Sequence, residues 1–358
     1  MKKTTTPLQH LSLGIDVAKD KFDVCLMCQH SDKQRRILAS TKFDNHLQGF
    51  EKLWEWVKKK SGKYPDIKVE FVMEATGIYH ENLAWYLYEQ GAKVVIVLPN
   101  QAKAFTRSEG IKSKNDTIDA EGLAKMSLSK NLSAWKPISP ILHRLRTRTR
   151  HYSNLQQEIT RTGNQIHALE HSHSPDQLTL KQLKKTHTFL VKRREEMKQS
   201  IEVLVKEEVV FYKKVSHLCS IYGVGILTAA TVIAETNGFE LFTSLKQLSS
   251  YAGYDVVENQ SGKRTGKTHI SKKGNSHIRK SLHFPALNAV KVEGIFRDLY
   301  QRVFDRTKIK MKAYVAVQRK LLGLMYTLWK KEEDFDQNKH KKYIFVEEDK
   351  LPLPEIVA

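Results

Sequence analysis

The sequence is poor in cysteine and contains no long hydrophobic run. Its 358 residues include only three cysteines, Cys25, Cys28 and Cys219, which are too few and too unevenly placed for a disulfide framework. The Cys25-x-x-Cys28 spacing lacks a second pair of metal ligands, so two reduced, packed thiols are expected there rather than a zinc or redox site. No stretch of about 18 apolar residues is present, and residues 1–9 lack the hydrophobic core of a signal peptide. These absences argue against a secreted or membrane-spanning protein and predict a soluble, cytoplasmic one.

Acidic residues are scarce relative to basic ones. Sixty Lys and Arg residues against 39 Asp and Glu residues give a formal net charge of +21. This excess is larger than solubility requires and favours a polyanionic partner, although it does not distinguish DNA from RNA. The bias is strongest over residues 261–281, which contain several lysines and arginines and no acid. Such a run fits phosphate binding with a salt-sensitive affinity.

The first part of the chain alternates strand-like and helix-like segments. The segment Leu11 to Met27 predicts two strands joined by a hairpin turn at Lys19-Asp20-Lys21, and Arg36 to Phe43 predicts a third. Further strands are predicted at Ile67 to Met73 and at Ala92 to Leu98, with helical spacings before and between them. Strands alternating with helices predict an α/β domain in which helices cover a mixed sheet.

The remainder of the chain is predicted to be mainly helical. Apolar residues at helical spacing, interrupted over His171 to Asp176, predict two long helices in an antiparallel hairpin, the second running to about Lys214. A Gly-x-Gly turn at Gly223-Val224-Gly225 opens a third segment, and Lys308 to Lys330 has the pattern of a basic amphipathic helix. The predicted fold class is therefore α/β plus all-α. The predicted domains are an α/β catalytic domain over 1–135, a coiled-coil helical hairpin over 141–215, a mainly helical C-terminal domain over 216–335 and a charged tail over 336–358.

Four acidic residues stand out by their positions on these elements. Asp16 and Glu74 each end an apolar strand-like run, and Asp116 and Asp119 share one face at the start of a predicted helix. Taken alone, an acidic first turn is usually explained by the unpaired N–H groups and the dipole of the helix. Carboxylates at strand ends and on a helix beside the sheet are also the ligands that two magnesium ions need for phosphodiester chemistry. The four acids are therefore candidate catalytic and metal-binding residues, with Mg²⁺ as the expected ion and Mn²⁺ as an alternative.

The motifs around these acids resemble those of the DEDD transposases of bacterial insertion sequences, which are relatives of the pilin-inversion recombinase. The resembling motifs, in order, are Gly14-Ile15-Asp16-Val17-Ala18-Lys19, Glu74-Ala75-Thr76-Gly77 and Lys114-Asn115-Asp116-Thr117-Ile118-Asp119-Ala120. The resemblance implies that the N-terminal domain has the ribonuclease H fold of RuvC-type resolvases. It also implies that Asp16, Glu74, Asp116 and Asp119 are the metal ligands.

The C-terminal segment resembles the same transposases. The shared motifs are Gly223-Val224-Gly225, Tyr251-Ala252-Gly253, Ser261-Gly262 and Ser271-Lys272-Lys273-Gly274-Asn275. In that family the serine of the Ser-Gly pair is the nucleophile, which implies this role for Ser261. The residues alone do not select Ser261 over Ser249, Ser250, Ser271 or Ser276, and a Ser-Gly pair is most often simply a turn.

The resemblance implies a DNA transposase or recombinase that cuts and rejoins DNA through a covalent serine-phosphate intermediate. Because the family includes members guided by a structured RNA from their own element, the expected partners are DNA and an element-encoded guide RNA. The acids and the serine lie far apart in the sequence, which suggests a homo-oligomer, a dimer or a tetramer, whose subunits share sites. Three alternatives are an RNA-independent site-specific invertase, a resolvase-like nuclease that uses water, and a non-catalytic nucleic-acid-binding protein.

Basic residues near these motifs are candidate nucleic-acid contacts, with solvated surface charge as the alternative explanation. In the predicted hairpin, the first helix is the better candidate because acids intersperse the second helix. The candidates are Lys103, Arg107, Lys112, Lys114, Arg144, Arg148, Lys263, Arg264, Lys267, Lys272, Lys273 and Arg279.

Overall fold

The chain is divided into two compact units, Met1–Pro137 and Ile138–Ala358. This division does not test the four domain limits expected from the sequence, which stay predictions. In the part of the chain that is described, no helix combines the length and the apolar character needed to cross a membrane. The computed structural model describes residues 7–75, 77–110, 116–257, 260–261, 264–265 and 268–339.

A five-stranded mixed sheet forms the centre of the first unit. Its strands are β1 (Leu8–Val17), β2 (Lys21–His30), β3 (Arg35–Asp44), β4 (Val69–Glu74) and β5 (Lys93–Val97). Their order is β3-β2-β1-β4-β5. The first three strands form an antiparallel meander, and β4 and β5 continue the sheet parallel to β1. This arrangement is that of the ribonuclease H-like domain and confirms the predicted fold class.

Helices cover both faces of this sheet. They are α1 (Leu47–Ser61), α2 (Glu81–Glu89), α3 (Pro99–Ser108) and α4 (Asp116–Ser129). The core against α1 and α2 contains Ile15, Met73 and Leu83. The opposite face packs against α3 and α4, because strand side chains alternate between the two faces. Tyr88, which the periodicity places inward, is instead half exposed and packs edge-on against Trp85.

The predicted state of the two neighbouring cysteines agrees with the structure. Cys25 and Cys28 are free and buried within β2. Burial raises the pKa of both thiols. They are therefore packed in the protonated form, which is the less reactive form of a thiol.

The second unit consists mainly of helices. They are α5 (Pro140–Glu170), α6 (Gln177–Lys206), α7 (Val209–Cys219), α8 (Ile226–Glu235), α9 (Leu245–Ala252), α10 (Ser276–Ser281), α11 (His283–Ala289), α12 (Ile295–Thr307) and α13 (Lys310–Lys331). Helix α13 contributes several fully buried side chains to the core, including the predicted Leu321, Met325 and Leu328. The segment that the sequence predicts as a basic amphipathic helix is therefore a helix of the core.

Helices α5 and α6 pair as an antiparallel hairpin. Arg148 on α5 donates to the carbonyl of Ser200 on α6 at 2.7 Å, and Lys184 pairs with Glu170 near the turn at 2.6 Å. The second helix is shorter than predicted, because the chain leaves the helix after Lys206 and α7 begins at Val209. Coiled-coil packing of this hairpin stays a prediction.

A small antiparallel arm lies between α9 and α10. Strand β6 (Val256–Val257) pairs with β9 (His269–Ile270), and β7 (Gln260–Ser261) pairs with β8 (Arg264–Thr265). Because the β7–β8 pair is nested inside the β6–β9 pair in the sequence, the four strands are the two sides of one hairpin. These four strands are called the serine arm below.

Candidate active site

Asp16 and Glu74 lie side by side at the carboxyl ends of two parallel strands. Strands β1 and β4 pair with Ile15 opposite Met73, so the next residues along each strand, Asp16 and Glu74, are also neighbours. Ile15 and Met73 face the core beneath α1 and α2. Because successive side chains alternate between faces, Asp16 and Glu74 lie on the opposite face, which α4 covers.

Gly14 allows α4 to pack directly on β1. A Cβ atom at this position would overlap the carbonyl oxygen of Ala120 and lie 2.5 Å from the backbone nitrogen of Ala124. Both alanines are fully buried. The backbone of α4 therefore approaches the strand as closely as a glycine permits, which brings the first turn of the helix towards the end of β1.

The charges around Asp16 show that the four predicted acids converge. Burial, followed in order of strength by the negative charges of Asp119, Asp116, Glu74 and Asp23, raises the pKa of Asp16 to about 6. The electrostatic effect of Asp116 and Asp119 on Asp16 is the result expected if the first turn of α4 lies beside the sheet end. The structure thus brings Asp16, Glu74, Asp116 and Asp119 into one acidic cluster.

Asp23 is a fifth acid of this cluster, and the sequence reasoning missed it. It is the cross-strand partner of Asp16 in the β1–β2 pair and is almost fully buried. Lys42 on β3 contacts its carboxylate at 2.9 Å, and the hydroxyl of Thr117 on α4 donates to the same oxygen at 3.4 Å. Asp23 therefore connects the sheet to the first turn of α4. The predicted hairpin turn at residues 19–21 was the available signal, since it brings Asp23 close to Asp16.

The donor set of the cluster suits a hard divalent cation. Carboxylate oxygens are the ligands that Mg²⁺ prefers, and a cation relieves the repulsion that the raised pKa of Asp16 reports. Among the described residues, no group of three or more His, Cys, Asp or Glu side chains has a complete metal-binding arrangement.

Ser261 belongs to the serine arm. Its backbone lies in β7 and pairs with Arg264 in β8, so it belongs to the strand pair that is nested inside the β6–β9 pair in the sequence. Gly262 lies outside the described residues, so a turn at the Ser-Gly pair stays a prediction. Four predicted nucleic-acid contacts lie outside the described residues, namely Lys112, Lys114, Lys263 and Lys267.

Of the remaining predicted nucleic-acid contacts, Arg264 is described only by its backbone in β8, and the other seven fall into two groups. The side chains of Lys103, Arg107, Lys272 and Lys273 belong to exposed residues. Those of three arginines make intramolecular contacts instead. Arg144 pairs with Glu207 at 3.7 Å, Arg148 joins α5 to α6, and Arg279 donates to the carbonyls of Ala252 and Lys272. Arg148 and Arg279 therefore have structural roles in the second unit, whereas Arg144 is exposed and makes only a surface ion pair. Contact with nucleic acid stays a prediction for both groups.

Comparison with known proteins agrees with this geometry. Residues 13–175 match a family model for DEDD transposases of the IS110 type, and residues 215–301 match a model described as the transposase IS116/IS110/IS902 family. The pilin gene-inverting protein of Moraxella bovis is 28% identical over 341 residues, covering 92% of this chain and 98% of that protein. The corresponding protein of Moraxella lacunata shows the same identity and coverage. A solved structure of Thermus thermophilus RuvC in complex with a Holliday junction aligns with 36% of this chain and 100% of that one, at 14% identity and a TM-score of 0.26.

The family matches and the pilin gene-inverting relatives show that the protein is a DNA transposase or recombinase, and the sheet with its acidic cluster agrees with this class. The two matched segments together make up well over half of the chain and lie in the order expected for one family. The chain belongs to the IS110-type family of insertion-sequence transposases, and it is an enzyme that acts on DNA.

Proposed function

We propose that this transposase cuts and rejoins DNA at a divalent-metal site formed by Asp16, Glu74, Asp116 and Asp119. The observation that carries the proposal is the raised pKa of Asp16, to which burial and the other three acids all contribute. Bound Mg²⁺, or Mn²⁺ in its place, supplies positive charge against the negative charge that develops on the phosphate oxygens.

The protein's own contribution to this site is the placement of the carboxylates. The register of β1 and β4 sets Asp16 beside Glu74, and the close packing of α4 at Gly14 sets the position of Asp116 and Asp119. Catalytic groups must be held to within a fraction of an ångström, which rigid strands and a tightly packed helix achieve better than loops.

We propose that the hydroxyl of Ser261 is the nucleophile. Its oxygen forms a bond to phosphorus as its proton passes to solvent, and the bond from phosphorus to the leaving deoxyribose oxygen breaks. That oxygen takes up a proton and leaves as a hydroxyl. A second DNA hydroxyl then attacks the phosphoserine, which restores a phosphodiester and returns the serine. Support comes from the match over residues 215–301, which includes Ser261, and from the acid-free basic run around it.

Replacement of Ser261 tests this chemistry. Ser261→Ala should bind DNA as the wild type does but form no covalent DNA–protein adduct and join no strands. Ser276→Ala is the matched control, because Ser276 is an exposed serine of the same basic run. Undiminished cleavage by Ser261→Ala would instead identify water as the nucleophile and favour the resolvase-like alternative. Loss of strand exchange in Asp116→Asn with DNA binding kept would exclude a role limited to binding.

We also propose that a structured RNA encoded by the element is a partner. Support comes from the formal charge of +21, which suits binding RNA and DNA together. Purification from cells that carry the native flanking DNA should yield one defined, gene-adjacent RNA at near-stoichiometric amount. Mixed cellular RNA that is removed by salt would favour an RNA-independent invertase. The Moraxella relatives are named for gene inversion.

We propose that the active form is a homo-oligomer, a dimer or a tetramer, in which subunits share sites. A mixture of Ser261→Ala and Asp116→Asn subunits should then recover strand exchange that neither variant shows alone. Two variants that stay inactive when mixed would indicate that each subunit uses its own acids with its own serine.

A further inference from the structure

Glu235 is a buried carboxylate in the second unit and ends helix α8. Its side chain is fully buried, whereas that of its partner Arg150 on α5 is about half exposed. Arg150 donates from Nε and Nη2 to the two carboxylate oxygens at 2.7 and 2.9 Å. This two-point geometry fixes the orientation of the carboxylate as well as its position.

Asn275 extends this ion pair to another part of the chain. Its Nδ2 donates to Oε2 of Glu235 at 2.6 Å. Its Oδ1 accepts from the backbone N–H groups of His277 and Ile278 at 2.9 and 3.2 Å, which caps the start of α10. Its own backbone N–H donates to the carbonyl of Tyr251, whose hydroxyl donates to the backbone carbonyl of Glu235. Glu235 therefore ties α5 and α8 to the end of α9 and the start of α10.

These contacts meet at the base of the serine arm. The arm leaves the helices after residues 251–255 and returns through residues 271–275. The N–H of Ser271 donates to the carbonyl of Asp255 at 2.7 Å, and the N–H of Lys272 donates to the carbonyl of Gly253 at 3.1 Å. A Cβ atom on Gly274 would overlap the carbonyl of Tyr251 and lie 2.6 Å from the nitrogen of Gly253. The two chain segments at the base therefore pack in direct backbone contact.

The strands of the arm are too short to determine their own orientation. Each described strand pair of the arm spans only two residues. An isolated two-stranded hairpin is at best marginally stable in water. The hydrogen bonds described between the ends of the arm and the helices are those at its base, where Asn275 meets Glu235.

We propose that Glu235 is a positioning residue for the nucleophilic serine. Through Arg150 and Asn275 it fixes the base of the serine arm, and hence the direction in which the arm carries Ser261. This inference rests on the proposed serine chemistry. A buried carboxylate held by a two-point ion pair is suited to the task, because charge-assisted hydrogen bonds of this kind are strong and geometrically specific.

Three variants test the positioning role by the rate of adduct formation in a single turnover at saturating DNA. Glu235→Gln removes the charge that orients Arg150 and should slow the adduct on the order of 10- to 100-fold, with DNA affinity unchanged. Asn275→Asp keeps a side chain that caps α10 equally well but sets it against the Glu235 carboxylate, so it should show the same loss. Glu240→Gln is the matched control, because Glu240 is exposed a few residues further along the chain, and it should keep the wild-type rate.

The double variant Glu235→Gln with Asn275→Asp should restore the rate of adduct formation that each single variant loses. In this double variant the amide at position 235 donates to a carboxylate at position 275, so one hydrogen bond, the helix cap and a single negative charge beside Arg150 are all kept. Its rate should return to within a few fold of the wild type.

The inference is overturned if Glu235→Gln lowers only the melting temperature and folded molecules form the adduct at the wild-type rate. It is also overturned if Asn275→Asp behaves as the wild type, because a capping role alone predicts that result. Failure of the serine chemistry itself would be recognised separately, since Ser261→Ala would then cleave DNA and the wild type would form no adduct. In that case the positioning role would be refuted together with the serine chemistry.

Discussion

The carboxylate of Asp16 is partly buried and faces four other acids, which together raise its pKa from 3.8 to about 6. An acid whose pKa is higher in the folded than in the unfolded state binds more protons when folded. The folded state therefore loses stability as the pH rises from about 4 to about 6. At neutral pH, ionised Asp16 destabilises the fold, which is a common property of groups retained for function.

The substitution Asp16→Asn should therefore raise the melting temperature by a few degrees in the absence of divalent ions, while abolishing DNA cleavage. Thermal unfolding at pH 7.5 or so and a cleavage assay measure the two effects. Asp20→Asn is the matched control, because Asp20 lies exposed in the turn between β1 and β2, and it should change neither quantity. A lower melting temperature in Asp16→Asn would show that the acidic cluster stabilises the protein instead.

Glu235 shows the opposite dependence on pH. Burial tends to raise its pKa, but hydrogen bonds from Arg150 and Asn275 and the charges of Arg150 and His277 outweigh burial and leave the pKa below 4.5. The ion pair then contributes stability that is fully present above pH 4.5 and is lost as the pH falls through the lowered pKa. The wild type should lose stability on acidification more steeply than Glu235→Gln, which carries no titrating group at this position. Equal slopes for the two proteins, measured by urea unfolding from about pH 5 down through the lowered pKa, would contradict this expectation.

The site residues differ in how far the sequence could predict them. Asp16 and Glu74 were predictable because each ends an apolar run, and the three-residue spacing of Asp116 and Asp119 fixed their common face. Asp23 was missed because it alternates with apolar residues within a strand, where an acid is usually assumed to face solvent. Ser261 was selected only by family resemblance, since no local pattern separates it from the other serines of the basic run.

At the scale of elements, the contact between β1 and α4 determines the geometry of the acidic cluster. Gly14→Ala should destabilise the protein by about 3 kcal/mol, at the upper end of the usual cost of overpacking, because the added methyl meets helix backbone that cannot rotate away. Cleavage should fall even under conditions in which the variant is folded, since α4 must shift.

Gly122→Ala is the control for this prediction within the same helix. A Cβ atom there would meet only the hydroxyl of Thr106 at 3.5 Å, an ordinary contact. Alanine at a helix-interior position should stabilise the protein by roughly 0.5–1 kcal/mol. Denaturant unfolding of both variants measures the difference, and a similar loss in both would mean that the close approach at Gly14 is not the cause.

The regular elements followed from the sequence, and the irregular ones did not. Alternation and helical periodicity located the five sheet strands and the long helices because these elements span enough residues to show a period. The break between α6 and α7 at Glu207 and Glu208 was missed, since apolar spacing continues across it. The strands of the serine arm were also missed, because two residues are too few to show any alternation.

At the scale of the whole molecule, the formal net charge of +21 predicts that binding to nucleic acid is sensitive to salt. Each phosphate that a basic side chain neutralises releases condensed counterions, so the logarithm of the binding constant falls by about 0.9 per phosphate for each unit of log salt. A footprint of six to ten phosphates would give a slope of roughly −5 to −9. The charge alone does not say which lysines and arginines contribute to that footprint.

Substitution of single lysines separates direct contacts from the general effect of charge. Lys273→Gln, at an exposed position in the acid-free run, should make the slope less steep by about 0.9, as expected for the loss of one phosphate contact. Lys60→Gln removes the same charge from the last turn of α1, which packs on the sheet face opposite the acidic cluster, and should leave the slope unchanged. Binding constants measured over a series of salt concentrations provide both slopes. If the two variants changed the slope equally, net charge would account for the affinity and the basic run around the serine arm would have no special part in holding DNA.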